Sequence, residues 1–252
     1  MLTRGQQTQL VAQVLAGERR DVAAATQTDA INVKKAFGPD VPAVEGPGDA
    51  VVMFVDIAGF SGRVRGLPPV KVRQYLSKFY AKAIKVIDDH QGLIDRIIGD
   101  GIIAVFSQTL APDLKDAAGK ALKSAETIIA DLNGTECESK AAISCGSVLF
   151  CKTGLEGVYT DYTVLGSPLT HVYRMEELAK ANQVVVPKNS PVGAIIKAQL
   201  DRRHEHEHRA ALGLERLTSI QWGVKIDSTT ELRGAEDLGA LYIQTLQSAC
   251  VT

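Results

Sequence analysis

Asp56 closes the apolar run Val51-Val52-Met53-Phe54-Val55, and Asp100 stands between glycines in Arg96-Ile97-Ile98-Gly99-Asp100-Gly101-Ile102-Ile103-Ala104-Val105-Phe106. A carboxylate beside a buried strand is costly unless something compensates its charge. Two of them on neighbouring strands repel unless a cation sits between them, and hard divalent cations take oxygen ligands. Divalent metal beside a glycine-containing turn points toward phosphate chemistry. Taken singly, each aspartate also has an ordinary reading as a turn or helix-cap residue.

Such side chains need a frame, and the hydrophobic pattern supplies one. Apolar residues run without alternation over 50–56, which predicts a strand buried on both faces. Ile57 to Gly62 reads as a turn into a polar helix, and Pro68-Pro69 marks a second helix start. Val72, Tyr75, Leu76, Phe79, Ala83, Val86 and Ile87 recur at helical spacing and predict a helix over 69–90 with Tyr75 and Phe79 in the core. His90-Gln91-Gly92 stops it. Strands are expected at 93–98 and 102–107, joined by a tight Gly-Asp-Gly hairpin. A helix over 112–132, strands at 141–150 and 162–165, a helix over 169–181 and a strand at 183–186 complete the reading. The order β-α-α-β-β-α-β describes an α/β (α+β) ferredoxin-like sandwich with an extra helix. Residues 1–45 read as an N-terminal helical arm and linker, and 46–252 as the main domain; the linker's Gly/Pro punctuation runs from Gly38 through Gly46-Pro47-Gly48. A short helical piece cannot bury its own face, so the arm's expected work is packing or dimerisation.

The bulk properties narrow the function. Of 252 residues, 28 are Lys or Arg and 29 Asp or Glu, a formal net charge of -1. That gives no global drive toward nucleic acid or anionic lipid, so any anion is bound at a local site. No apolar run reaches the roughly eighteen residues of a membrane span, and the polar N-terminus does not read as a signal peptide. The four cysteines lack C-x-x-C spacing, which suits a reducing cytoplasm; Cys145 and Cys151 read as small buried hydrophobes. His204-Glu205-His206-Glu207-His208 invites a metal reading but is better taken as a solvated polar segment between arginines. Trp222 reads as packing.

Three motifs in register resemble the class III nucleotidyl cyclases. They are Phe54-Val55-Asp56-Ile57-Ala58-Gly59-Phe60-Ser61, then Ile98 to Phe106 around Asp100, then Asp161-Tyr162-Thr163-Val164-Leu165-Gly166 with Arg174-Met175-Glu176-Glu177. The resemblance covers about residues 50 to 187. It implies two divalent ions, Mg2+ or Mn2+, bridged by Asp56 and Asp100 with the Ile57 carbonyl as a further ligand. Backbone N–H groups of Ala58, Gly59, Phe60 and Ser61 would hold the β- and γ-phosphates of a nucleoside triphosphate, with Arg233 adding charge. Arg174 would neutralise the α-phosphate in the transition state. Asp56 and Arg174 come from opposite subunits in these enzymes, so the resemblance implies a homodimer with composite sites.

Three positions depart from the family pattern and bear on the substrate. Adenylate cyclases usually carry Lys where this chain has Arg96, a base-reading position. Thr163 takes the place of an aspartate also at the base, and Thr170 that of the ribose-orienting asparagine. Threonine is shorter and presents one hydroxyl. A short chain without sensor or membrane segment looks like the standalone pyrimidine cyclases of bacterial anti-phage signalling, whose product is read by a cyclic-nucleotide-binding effector. Arg96 offers only donors, and uracil presents O2 and O4 acceptors, so the expectation is UTP to cyclic UMP. Two readings stand against it: an adenylate cyclase making cyclic AMP, and a dimeric signalling domain that has lost turnover. A diguanylate-cyclase or polymerase palm is disfavoured, since the chain has neither a Gly-Gly-Asp/Glu-Glu-Phe signature nor a basic groove.

Overall fold

The computed structural model describes residues 46–107, 113–155, 159–211, 222–225 and 239–246. The arm expected over 1–45 lies outside the described residues. Strands are β1 (Gly46–Ile57), β2 (Leu93–Ile98), β3 (Gly101–Ser107), β4 (Ser139–Leu155), β5 (Tyr159–Leu165), β6 (Gln183–Pro187), β7 (Trp222–Lys225) and β8 (Leu241–Leu246). Helices are α1 (Phe60–Arg63), α2 (Pro69–Asp89), α3 (Leu114–Leu132), α4 (Ser167–Glu176) and α5 (Pro191–Ala211). They build one mixed sheet in the order β2-β3-β1-β4-β6-β8-β7, with β5 paired to β4 off that path. β1 lies antiparallel to both β3 and β4, which is the interleaved βαβ pairing of a ferredoxin-like sandwich.

β1 is buried because both faces of the sheet are covered. Val51, Met53, Val55 and Ile57 pack with Phe79 and Ile87 of α2 and Leu122 and Ile129 of α3. Ala50, Val52 and Phe54 pack with Val172 and Met175 of α4. Each such side chain contributes about 1.5–3 kcal/mol on leaving water, so the strand that carries Asp56 is firmly anchored. α2 begins with Pro69 in its first turn, where the missing N–H costs nothing. It ends with Gln91 N–H bonded to the Asp88 carbonyl and Gly92 N–H to Ile87, both at 2.8 Å. The left-handed residue is Gln91, φ 62, rather than a glycine.

Several boundaries differ from the sequence reading. Gly46-Pro47-Gly48, read as linker, pairs with Phe150 to Val148 of β4. Pro47 is tolerated there because β3 joins β1 only from Ala50 onward, leaving Pro47 on an edge. β4 extends well past Phe150, and β5 starts at Tyr159 rather than 162. Together they form a two-stranded arm on which Leu149, Leu155 and Leu165 are exposed. α4 stops at Glu176, five residues before its expected end, and the chain turns back through Asn182, φ 63. α5 and β7 were not anticipated; α5 turns Val192, Ile196 and Leu200 into the core. Cys145 and Cys151 are only half buried, and among the described residues Cys137 is the buried cysteine. Among the described residues no helix is long and apolar enough to cross a membrane.

Candidate active site

Asp56 is the penultimate residue of β1, opposite Lys140 of β4. Asp100 stands in the turn between β2 and β3, not within a strand: Ile98 pairs with Gly101, so Gly99 and Asp100 alone make the loop. Gly99 takes φ 59. Gly101 matters through proximity, because a Cβ there would overlap the Phe54 ring and come within 3.3 Å of Asp56 Oδ1. The turn that carries Asp100 can therefore approach Asp56 only without a side chain at 101. We expect Gly101→Ala to cost about 1–3 kcal/mol through overpacking, measured by urea unfolding, and to weaken the thermal shift given by Mn2+. The hydroxyl of Tyr80, a buried residue of α2, donates to the Gly99 carbonyl and holds the turn in place.

The two carboxyl groups lie close enough for each to perturb the other. Burial, then the charge of Asp100 and then that of Glu176, push Asp56 up from 3.8 to about 8. Burial raises Asp100 as well. The pair thus holds a proton far above the usual carboxylate range, as like charges in a partly desolvated site must. The folded protein then binds a proton that the unfolded chain has released. In chelator, stability should fall as pH rises from about 4 toward 8. A divalent ion competes with that proton, so the rise in Tm on adding Mn2+ should grow with pH over the same window. A flat Tm across this range would contradict the arrangement.

The donor set fits a hard cation in part. Among the described residues no three His, Cys, Asp or Glu side chains converge in a metal-binding arrangement. Two carboxylates would need carbonyl and substrate oxygens to complete a coordination shell, as oxygen-seeking ions accept. The Ile57 residue that would lend its carbonyl is buried beside Asp56.

The loop after β1 is tied down. Ala58 N–H donates to the Glu138 carbonyl at 2.8 Å, and Arg63 binds the Glu136 carbonyl at 2.6 Å and the Glu138 carboxylate at 3.3 Å. Ala58 therefore has no N–H left for a phosphate, against the expectation for it. Gly59, φ 70, leads into α1, where helix geometry leaves the first N–H groups, those of Phe60 and Ser61 among them, without partners in the helix.

α4 buries His171, Val172 and Met175 and leaves Thr170 and Arg174 exposed, one turn apart on one face. Arg174 is not brought to Asp56 in the same subunit; Glu176, which emerges about 200° further round the helix, is the α4 residue that reaches it. Arg96 and Thr163 do meet: an Arg96 Nη donates to the Thr163 hydroxyl. Arg233 and the side chains of His204 to His208 lie outside the described residues, as does that of Trp222.

Residues 44–215 match the adenylate and guanylate cyclase catalytic domain. The chain belongs to that family. An uncharacterised protein of Mycobacterium tuberculosis, Rv1318c, is 31% identical over 173 residues, 68% of this chain and 30% of the relative; a Mycobacterium bovis protein, Mb1353c, is 32% identical over 136 residues, 53% and 25% of the two chains. The chain thus spans less than a third of these relatives. Among solved folds, the guanylyl cyclase Cya2 superposes with TM-score 0.59 at 21% identity, covering 82% of this chain and 97% of that one. The adenylyl cyclase CyaB from P. aeruginosa gives 0.59 at 16%, covering 81% and 96%. The guanylate cyclase domain of RhGC from Catenaria anguillulae, in complex with GTP, gives 0.59 at 17%, covering 81% and 100%.

In this cyclase domain two residues that the sequence did not single out lie beside the expected site residues. Lys140 Nζ sits 2.6 Å from Glu176 Oε1, both side chains mostly buried, beside the aspartate pair. Lys140 also draws the Asp100 carboxyl downward, against its burial. Its signal is invisible until β4 is laid beside β1, because only the register puts Lys140 opposite Asp56. Asp95, next to Arg96, is the second such residue, and its side chain is 4% exposed.

Proposed function

We propose that this domain is a nucleotidyl cyclase converting a nucleoside triphosphate, by preference UTP, to the 3′,5′-cyclic nucleotide and pyrophosphate. The single observation that carries the reading is the close approach of the Asp56 and Asp100 carboxyl groups beside the end of a buried strand. In the reaction the ribose 3′-oxygen bonds to the α-phosphorus as the bond to pyrophosphate breaks. Asp56, Asp100 and the Ile57 carbonyl would hold two ions, Mg2+ or Mn2+, which lower the pKa of the 3′-hydroxyl and neutralise phosphate oxygens. Backbone N–H groups of Gly59, Phe60 and Ser61 hold the terminal phosphates, with Arg233 adding charge. Arg174 meets the charge that develops at the α-phosphate, and Thr170 orients the ribose.

Exposed Thr170 and Arg174 support a homodimer in which one subunit's α4 completes the other's site, as do Leu149, Leu155 and Leu165 on the β4–β5 arm. Arg96 and Thr163 read the base. Uracil suits them, with O4 accepting from Arg96 and N3–H donating to Thr163. The pair also suits adenine, taken in the opposite order, which keeps an adenylate cyclase as the second reading. A cytoplasmic role in anti-phage signalling, with a cyclic-nucleotide-binding effector, rests on the resemblance to pyrimidine cyclases. Incubation with each of the four NTPs and Mn2+, products read by mass spectrometry beside an Asp56→Ala control, tests the proposal. Cyclic UMP is expected. Cyclic AMP alone would overturn the uracil reading, and the absence of any cyclic product would overturn the cyclase.

A further inference from the structure

We propose that Asp95 sets the base preference of this domain by fixing the Thr163 hydroxyl as an acceptor beside the donors of Arg96. The inference rests on the reading above that Arg96 and Thr163 face the base. Ile94 pairs with Ala104 and Arg96 with Ile103, so Asp95 is the extra residue of a β-bulge in β2. A bulge re-aims the side chain it carries. Here the Asp95 carboxylate turns toward β5, a strand outside the main order that the ladder joins to β4. Asp95 Oδ1 accepts from the Thr163 hydroxyl at 2.9 Å and from Val164 N–H at 3.1 Å. Oδ2 takes Arg96 Nε at 2.5 Å. A nearly buried carboxylate held by three donors keeps one orientation, and it holds its neighbours in theirs.

The consequence follows from counting protons. A threonine hydroxyl has one proton and two lone pairs. The proton goes to Asp95, with the Val164 carbonyl a weaker alternative at 3.4 Å. One lone pair takes Arg96 Nη2. What remains is a single lone pair, so Thr163 can accept from a base and cannot donate to it, while Arg96 can only donate. Acceptor and donor thus stand in a fixed order. Uracil and guanine present a ring N–H beside a carbonyl; cytosine and adenine present a ring nitrogen beside an amino group. A fixed order admits one of these pairs and rejects the other, the keto pair where Thr163 meets the ring nitrogen and Arg96 the exocyclic group, because the wrong base leaves polar groups facing like groups. Size separates purine from pyrimidine, so the signature of Asp95 lies within each size class: UTP against CTP, and GTP against ATP.

The test compares wild type, Asp95→Ala, Asp95→Asn, Thr163→Val and Thr163→Ser. Preference is read as kcat/KM ratios with Mn2+ and, independently of turnover, as Kd ratios for the four 3′-deoxy-NTPs, which lack the attacking hydroxyl. Wild type should favour UTP over CTP by about tenfold or more. Asp95→Ala frees the hydroxyl to rotate and donate, so the ratio should collapse toward one, as should that of Thr163→Val, while Thr163→Ser keeps it. Asp95→Asn preserves shape and lets its amide donate to the hydroxyl; it should lose most of the ratio, and it carries the test should the alanine variant fail to fold. Equal weakening of all four nucleotides, with ratios unchanged, would mean that Asp95 only braces β5 and would overturn the inference. So would a wild type that binds all four 3′-deoxy-NTPs alike. A binding preference erased in the Asp95 variants, in a protein that cyclises nothing, would uphold the inference while the cyclase reading fell. An ATP and CTP preference erased in the same way would uphold it and overturn the uracil reading.

Discussion

Asp56→Asn should abolish cyclisation, lowering kcat by about a thousandfold or more, and at the same time stabilise the metal-free protein near neutral pH. The two effects share one cause. Asp56 is the penultimate residue of a strand fixed on both faces by α2, α3 and α4, so it cannot retreat from Asp100 or Glu176. Near neutral pH folding must therefore recruit a proton to the pair or hold like charges together. Asparagine keeps the shape and gives Asp100 a hydrogen-bond donor that needs no proton from solvent. Function is lost because an amide is a poor ligand for a hard cation. Stabilities by guanidinium unfolding in chelator at pH 8, with turnover on the preferred NTP, decide the matter. A variant less stable than wild type would mean that the pair is not under electrostatic strain, and one retaining a tenth of the activity would remove Asp56 from the centre of the reaction. Strain of this kind at a site, offset by packing elsewhere, is how stability and activity come to oppose each other.

The second large effect is complementation. Asp56→Asn and Arg174→Ala should each be inactive alone, and a mixture of the two chains should recover about a quarter of wild-type activity. Random assortment makes half the dimers mixed, and each mixed dimer has one site with neither lesion. Co-expression with two different tags, and assay of the doubly purified species, tests this. The doubly tagged species should reach about half of wild type, because it is mixed throughout. No recovery would show that both residues serve one site in one subunit. The exposed face of α4 argues for recovery: Arg174 is turned from the centre that its neighbour Glu176 enters.

Much of this was legible in the chain because the relevant signals are local. An unbroken apolar run announces β1, Gly-Asp-Gly announces the turn, and helical spacing announces α2 within a residue of its ends. Asp56 and Asp100 are conspicuous because charge stands out against such runs. What stayed hidden depends on register and on what is packed outside the run. Lys140 becomes a site residue only through the pairing of β4 with β1. Asp95 becomes one only because an extra residue in β2 tips it toward β5. Ala58 looked like a phosphate donor because sequence cannot show that the Glu138 carbonyl already takes its N–H. Gly46-Pro47-Gly48 looked like a linker because its composition breaks strands that have neighbours on both sides, and here it has one. α5 was missed since its lower half, Asp201 onward, is polar and carries no apolar stripe to announce it.

The tie between Lys140 and Glu176 has a consequence for how a pair of subunits would behave. α4 is a rod of about 15 Å whose final turn is pinned by Lys140, both through the Glu176 carboxylate and through its backbone carbonyl at 3.3 Å. In the proposed dimer the same rod extends a guanidinium into the neighbouring centre. Whatever cation or nucleotide disturbs Glu176 in one centre must tilt the rod and so shift the arginine in the other. The two catalytic centres would then answer each other, filling in sequence rather than independently, through ten residues and one buried ion pair.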